Sequence, residues 1–351
     1  MSVLFRLATP YAPGPIAVID LYGDEAGEGP DVVDVLQQLT GADRWPVGSI
    51  RFCRFGAIDE GIVAVLGPDR AQLMPHGGLR VLQRLGEALI ELDCVPAPTQ
   101  VDPELEYPEA ESRDEALMLA AMARAASPLA LELLPSQPER WAAYRTALAQ
   151  RCADDVEPIE MIRRRSVRLN HLLAPPSVVV VGLPNVGKST LTNALAGRST
   201  SIAADLMGTT RDYVGVQLDL DGLVVWWYDT PGRPEQQSDG SLPDPITGDA
   251  VAISDRIIAD ADLLIAAADH QGIWPELPEC RADVGPYDLR VLLKSDRVKG
   301  WAPQADVSVS VKKALGLPGL THAIRQRLVP DADLEHPGPW LFDERLTENQ
   351  T

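Results

Sequence analysis

Cysteine is scarce in this chain, and long apolar runs and an excess of positive charge are missing altogether. Four cysteines in 351 residues (Cys53, Cys94, Cys152 and Cys280) are too scattered for a metal-ligand spacing and too few for a disulfide framework. A reduced, cytoplasmic setting is the expectation. No apolar stretch reaches the roughly 20 residues of a membrane-spanning helix, and the first six residues carry no apolar signal core. No membrane association is therefore expected. Lys and Arg number 31 against 51 Asp and Glu, a net charge of −20. That balance opposes non-specific binding to nucleic acid, so any RNA contact needs a local basic patch. The basic run Arg163-Arg164-Arg165 with Arg168 reads instead as a solvated helix face.

Proline, by contrast, is abundant: 30 residues, about 8.5% against an average of about 5%, which predicts many loops and short elements. Residues 1–94 alternate short apolar runs with turn signals, giving strands at 3–7, 16–21, 50–55 and 61–66. A helical stripe at Leu79, Leu82, Leu85, Leu89 and Ile90 marks a helix over 78–92. This is an α+β module. Residues 95–113, rich in proline and acid, read as a linker. Residues 114–175, rich in Ala, Leu, Glu and Arg, read as helices broken near Pro128 and Pro135. Over 176–330 strands and helices alternate, predicting an α/β domain with a mostly parallel sheet flanked by helices. Within it Asp221-Gly222 is a hairpin signal. Residues 331–351 read as a C-terminal tail.

The stretch that carries chemistry is Gly182-Leu183-Pro184-Asn185-Val186-Gly187-Lys188-Ser189-Thr190. It follows the apolar run Ser177-Val178-Val179-Val180-Val181 and precedes a helical pattern. Strand, glycine loop and helix in that order form a phosphate-binding loop. Glycines let the backbone N–H groups turn inward onto phosphate oxygens, and the helix N-terminus adds its positive end. Lys188 is expected on the β- and γ-phosphates and the Ser189 hydroxyl on Mg²⁺.

Four further stretches follow in order. Gly208-Thr209-Thr210-Arg211-Asp212 stands where a first switch belongs. Asp229-Thr230-Pro231-Gly232 ends a strand, so that Asp229 can hold a metal water and the Gly232 N–H can sense the γ-phosphate. Leu293-Lys294-Ser295-Asp296 ends another, placing Asp296 to pair with a guanine edge and the Lys294 stem over the base. Ser310-Val311-Lys312 closes over the base from the opposite side. Five such pieces in order predict a guanine-nucleotide (GTP/GDP) domain, with ligands beyond the carboxyl ends of the strands. Arg233 stands where a Ras-like enzyme has its water-orienting glutamine, so water must be activated differently or hydrolysis is slow.

The segment from Leu195 to Asp212 resembles the corresponding part of the tRNA-modification GTPases called MnmE or TrmE. Thr9-Pro10-Tyr11-Ala12-Pro13-Gly14-Pro15 and the strand after it are similar to that family's opening, and Pro75-His76-Gly77-Gly78 to its HGG helix start. The resemblance implies GTP hydrolysis dependent on Mg²⁺ and K⁺. Asn185 then helps hold K⁺ and Thr210 is the switch threonine on Mg²⁺. It also implies a homodimer built by the N-terminal module, a folate, an MnmG-like flavoprotein partner and a modified wobble uridine in tRNA.

Departures from the family pattern accompany the likeness. The Cys-x-Gly-Lys ending has no counterpart, which points away from complete tRNA chemistry. Asp20 and Tyr22 stand where the family has arginine and serine, which puts folate in doubt. Leu293 replaces the base-reading asparagine. Glu235 and Asp239 are the candidates for a water-orienting acid. A GTP-binding switch or scaffold with little turnover is one alternative. An Era-like ribosome-assembly GTPase is another, opposed by the acidic charge. His76 is expected to cap or pack, and Trp226-Trp227-Tyr228 to pack within a strand.

Overall fold

Two six-stranded sheets organise the chain. The computed structural model describes residues 3–9, 11, 13–23, 31–97, 102–150, 156–197, 215–230, 255–276, 287–298 and 304–348. The chain divides into two units, Met1–Pro108 and Glu109–Thr351.

In the first unit the sheet order is β3-β4-β5-β2-β1-β6. The strands are β1 (Leu4–Leu7), β2 (Ile19–Tyr22), β3 (Ile50–Phe55), β4 (Asp59–Gly67), β5 (Arg70–Met74) and β6 (Val95–Pro96). Period-two alternation turns Leu21, Phe55, Val63, Ala71 and Leu73 to one face. There they pack on Val35 and Leu36 of α1 (Val32–Thr40) and on Leu85 and Leu89 of α2 (Leu79–Glu91). Helix α1 was not anticipated. It begins with a reciprocal Asp31/Asp34 capping box and ends at Gly41, whose φ of 73° is cheap only for glycine. Strand β5 was missed because Ala71 and Leu73 are its only two fully buried residues.

The described parts of the expected linker at 95–113 include regular elements. Strand β6 pairs in parallel with β1, Leu4 opposite Val95. Asp102 caps the short helix α3 (Pro103–Glu106), and Arg6 ties that helix to the sheet through Glu106 at 2.6 Å.

In the second unit the order is β12-β11-β10-β7-β9-β8. Its strands are β7 (Ser177–Val181), β8 (Val216–Leu220), β9 (Leu223–Asp229), β10 (Leu263–Ala268), β11 (Leu289–Leu292) and β12 (Val307–Ser308). Only β8 is antiparallel to its neighbour. The β8–β9 turn has φ of 59° at Asp221 and 83° at Gly222, the paired positive values of a type I′ hairpin. Strands β7 and β10 are apolar and buried almost throughout, as strands covered on both faces must be.

The helices expected as a separate segment at 114–175 belong to this unit. They are α4 (Arg113–Arg124), α5 (Pro128–Leu133), α6 (Gln137–Ala149) and α7 (Ile159–Leu169). Leu117, Trp141 and Ile162 share one apolar core with Val180, Val225 and Ile265. The expected tail is also part of that core: Trp340, Leu341, Phe342 and Leu346 are buried in it. Trp340 accepts from Trp141 Nε1 at 3.0 Å through its carbonyl, donates its backbone N–H to Gln137 Oε1 at 2.7 Å, and donates its indole N–H to Asn170 Oδ1 at 2.9 Å.

The basic run on α7 is partly the solvated face expected, with Arg164 and Arg168 exposed, but it also clamps this segment down. Arg163 reaches Glu344 at 2.9 Å and Arg168 reaches Asp333 at 2.8 Å. Arg165, buried, donates to Glu157 and to the Pro339 carbonyl at 2.8 Å.

Candidate functional site

Strand β7 lies inside the sheet, and the chain leaves it toward β8 and β9 on one side and resumes at β10 on the other. The crevice at the carboxyl ends of these strands is where such sheets bind ligands. The loop Gly182–Gly187 turns there into α8 (Lys188–Ala196). Asn185 at φ 64° and Gly187 at φ 116° give the curl. A Cβ on Gly182 would stand 2.5 Å from the Ala267 carbonyl oxygen, so glycine is required at the loop's start. Val186 is buried beneath the loop, whereas Asn185, Ser189 and Thr190 are exposed at its mouth.

Lys188 is 7% exposed, and its ammonium arcs back to donate to the carbonyls of Gly182 (2.9 Å) and Leu183 (3.2 Å). Burial pushes its pKa down, against the opposing charge of Asp229. A phosphate arriving there would favour the charged form and take over as partner.

Ser189 Oγ donates to Asp229 Oδ2 at 2.7 Å. The β7–β9 register places Asp229 opposite Val180, and the buried Thr230 hydroxyl bonds the Val180 carbonyl at 2.8 Å. The other carboxylate oxygen, Asp229 Oδ1, is buried with no hydrogen-bond partner. A hydroxyl, a carboxylate and an unsatisfied carboxylate oxygen are hard donors that suit Mg²⁺. Among the described residues no group of three or more His, Cys, Asp or Glu could hold a metal ion. An ion with few protein ligands, completed by phosphate and water, is the Mg²⁺ pattern.

At the other end of the crevice Lys294, φ 53°, donates to the Asn185 carbonyl at 2.6 Å and lies 3.4 Å from Asp269. Asp296 Oδ1 accepts from the buried Ser310 hydroxyl at 2.6 Å, which holds the Asp296 carboxyl below the usual range. Reciprocal 3.0 Å backbone bonds between Ser310 and Leu315 close the loop that carries Val311 and Lys312. Gly316 permits this, since a Cβ would stand 2.1 Å from the Ser308 oxygen. Leu293 is 2% exposed, with Cδ1 3.7 Å from where a Cβ on Gly187 would stand. It packs under the loop instead of reaching for a base.

Thr209, Thr210 and Gly232 lie outside the described residues, as do Arg233, Glu235 and Asp239. Asp269, at the end of β10, was missed; its only signal was a carboxylate at a strand's carboxyl end. Trp227 packs in its strand as expected. His76 does not cap α2, whose N-cap Gly78 makes no side-chain bond; its exposed ring pairs with Asp59 at 2.9 Å.

The first unit carries a cavity of about 190 Å³ lined by Tyr22, Leu66, Arg70, Glu104, Leu105 and Pro108 among others. On the same strand as Tyr22, Asp20, 3% exposed, accepts from Tyr22 Oη (3.0 Å) and Gln72 Nε2 (2.9 Å), with Arg6 at 3.5 Å. Burial first, and the Asp20 charge next, push the Tyr22 hydroxyl far up. Burial also pushes the Cys94 thiol up to about 11 and raises that of Cys53, so neither is a thiolate at neutral pH. Cys152 and Cys280 lie outside the described residues.

Residues 177–289 match the family described as 50S ribosome-binding GTPase. The tRNA modification GTPase MnmE of Acidiphilium cryptum is 33% identical over 358 residues, covering 90% of this chain and 79% of that protein. The protein of the same name from Thermus thermophilus is 28% identical, covering 97% and 85%. Among solved structures, Aquifex aeolicus Era bound to GDP and AlF4⁻ is 26% identical over 44% of this chain and 56% of that one, with a TM-score of 0.33. The phosphate loop, the paired Ser189 and Asp229 and a relative this similar over nine-tenths of the chain together place it in the MnmE family of tRNA modification GTPases.

Proposed function

We propose that this protein binds GTP with Mg²⁺ in the crevice above β7 and β10, hydrolyses it to GDP and phosphate, and serves wobble-uridine modification of tRNA. The observation that carries the nucleotide reading is Ser189 Oγ beside Asp229 with Oδ1 buried and partnerless, at the end of a loop curled for phosphate. Lys188 then neutralises the β- and γ-phosphates, and loop N–H groups with the α8 N-terminus orient them. Asp296, oriented by Ser310, pairs with the guanine edge, and Lys294 holds the base side to the phosphate loop through Asn185. Mg²⁺ would be held by Ser189, Asp229 and Thr210 and would supply positive charge to the β- and γ-phosphates. K⁺ at Asn185 supplies the charge an arginine finger supplies elsewhere. Thr209, Thr210 and Gly232 complete the switch side.

The tRNA assignment rests on the relatives of that name across most of the chain. A homodimer and an MnmG-like flavoprotein partner belong to the same proposal. For the dimer, β3 offers Ile50 and Phe52, 73% and 69% exposed, at a free sheet edge. Folate is not included: Asp20 and Tyr22 stand where the family has arginine and serine, and the buried Asp20 carboxylate is engaged by Tyr22 and Gln72.

Single-turnover hydrolysis with K⁺ and then with Na⁺ tests the reading. Phosphate release that needs K⁺ is expected, and none over hours with K⁺ would favour a non-hydrolysing switch. Lys188→Ala should abolish tight nucleotide binding; unchanged affinity would put the site elsewhere.

A further inference from the structure

Two side-chain bonds join α8 to β9 like rungs. One is Ser189 Oγ to Asp229 Oδ2 at 2.7 Å; the other is Trp227 Nε1 to Thr192 Oγ1 at 3.0 Å. Ser189 and Thr192 are three apart on a helix and share a face. Trp227 and Asp229 are two apart on a strand and share a face. The helix runs against the strand, so Thr192 meets Trp227 where Ser189 meets Asp229. Trp227 is 1% exposed, and its ring is locked in the unit's core. A buried indole N–H needs an acceptor, and it finds it on the helix that carries Lys188 and Ser189. Thr192 Oγ1 in turn donates to the Lys188 carbonyl at 3.2 Å, in the first turn of α8.

We infer that Trp227 and Thr192 are positioning residues for the metal site. Their bond fixes the height of α8 against β9, and with it the separation of Ser189 Oγ from Asp229. Mg²⁺ demands near-ideal octahedral geometry at about 2.0–2.1 Å, so small errors in that separation matter more to it than to nucleotide phosphates held by backbone N–H groups. The rung therefore tunes the metal requirement more than nucleotide affinity itself. This inference rests on the nucleotide reading above.

The test is the rate at which a fluorescent GTP analogue leaves the full-length protein as Mg²⁺ is titrated, alongside its affinity in EDTA. Thr192→Val keeps the side-chain volume and removes the acceptor, and Trp227→Phe keeps an aromatic though smaller ring and removes the donor. Each should raise the Mg²⁺ concentration for half-maximal retention about 3- to 10-fold, with EDTA affinity within about twofold of wild type, the selectivity expected if only the metal's strict geometry is disturbed. Thr192→Ser restores the hydroxyl and should restore the wild-type midpoint. The double variant should be no worse than either single one, because both remove the same bond. An unchanged Mg²⁺ midpoint in both single variants, or an equal loss of affinity in EDTA, would overturn the inference and leave the bond a packing feature. Failure of the wild type to hold the analogue at any Mg²⁺ concentration would overturn the nucleotide reading, whereas wild-type retention that does not depend on Mg²⁺ would overturn the inference alone.

Discussion

Ionised Asp296 has two acceptor oxygens, and one is engaged by Ser310. Guanine presents two donors on its pairing edge, N1–H and the 2-amino group, whereas xanthine presents a carbonyl in place of the amine. Asp296→Asn replaces an acceptor by a donor, so preference should move from GTP toward XTP by about 10-fold or more, the size of one hydrogen bond to a charged group. Competition between the two nucleotides for the bound site reads this directly. Away from the site, Asp59 is held below the usual carboxyl range: burial works against this, but hydrogen bonds from the His76 ring and backbone outweigh it. A lowered native value means that the pair stabilises the fold above the unfolded carboxyl value of about 3.9, and that this contribution is lost as pH falls through the native value. Asp59→Asn should therefore lower the urea midpoint at pH 7, and the gap to wild type should close in acid. At this scale the phosphate loop was legible in the sequence because cradling phosphate restricts residue types at fixed spacing. The Trp227–Thr192 bond was not, because nothing local in either segment announces a partner 35 residues away.

Elements divide in the same way. Strands β7 and β10 could be read because burial on both faces demands unbroken apolar runs, and the β8–β9 hairpin because Asp221-Gly222 accepts two positive φ values. Helix α1 was legible but missed: Val32, Val35, Leu36 and Leu39 form a helical stripe between an Asp31/Asp34 capping box and Gly41. The segment at 331–348 read as a tail because Trp340-Leu341-Phe342 is a short apolar triplet in polar surroundings. Its receptors, Gln137, Trp141, Ser166 and Asn170, lie on helices far back in the chain. Trp340→Ala would empty a fully buried ring site and leave Asn170 Oδ1 without its indole donor, while the backbone bond to Gln137 stays. A loss of roughly 3–5 kcal/mol is expected, the range for large-to-small changes at buried aromatics, measured by urea unfolding.

For the molecule as a whole, each unit has its own sheet and its own apolar core. A ligand that binds only the folded state adds about 2.7 kcal/mol at 100 times its dissociation constant. Saturating GTP and Mg²⁺ should thus slow amide hydrogen exchange in the core of Glu109–Thr351, with β7, α8 and β9 showing the largest change. The exchange of β1–β6 should stay as it was. Equal protection in both units would show that nucleotide binding is felt throughout.

The indole of Trp141 takes its acceptor from a residue 199 positions later in the chain. At a synthesis rate of about 5–20 residues per second that acceptor is made roughly 10–40 s afterwards. Through that interval the apolar faces of α4, α6 and α7 wait while the whole nucleotide sheet is translated between them. Until Trp340, Leu341, Phe342 and Leu346 arrive, the part of that core they cover stays open. A message cut short before codon 340 would yield a chain with every motif for GTP but with Trp141 and its neighbours open to proteases. Every motif for phosphate and base is thus made before the segment that closes the core around Trp141, so the chemistry of the site is written earlier in the chain than the packing that completes its unit.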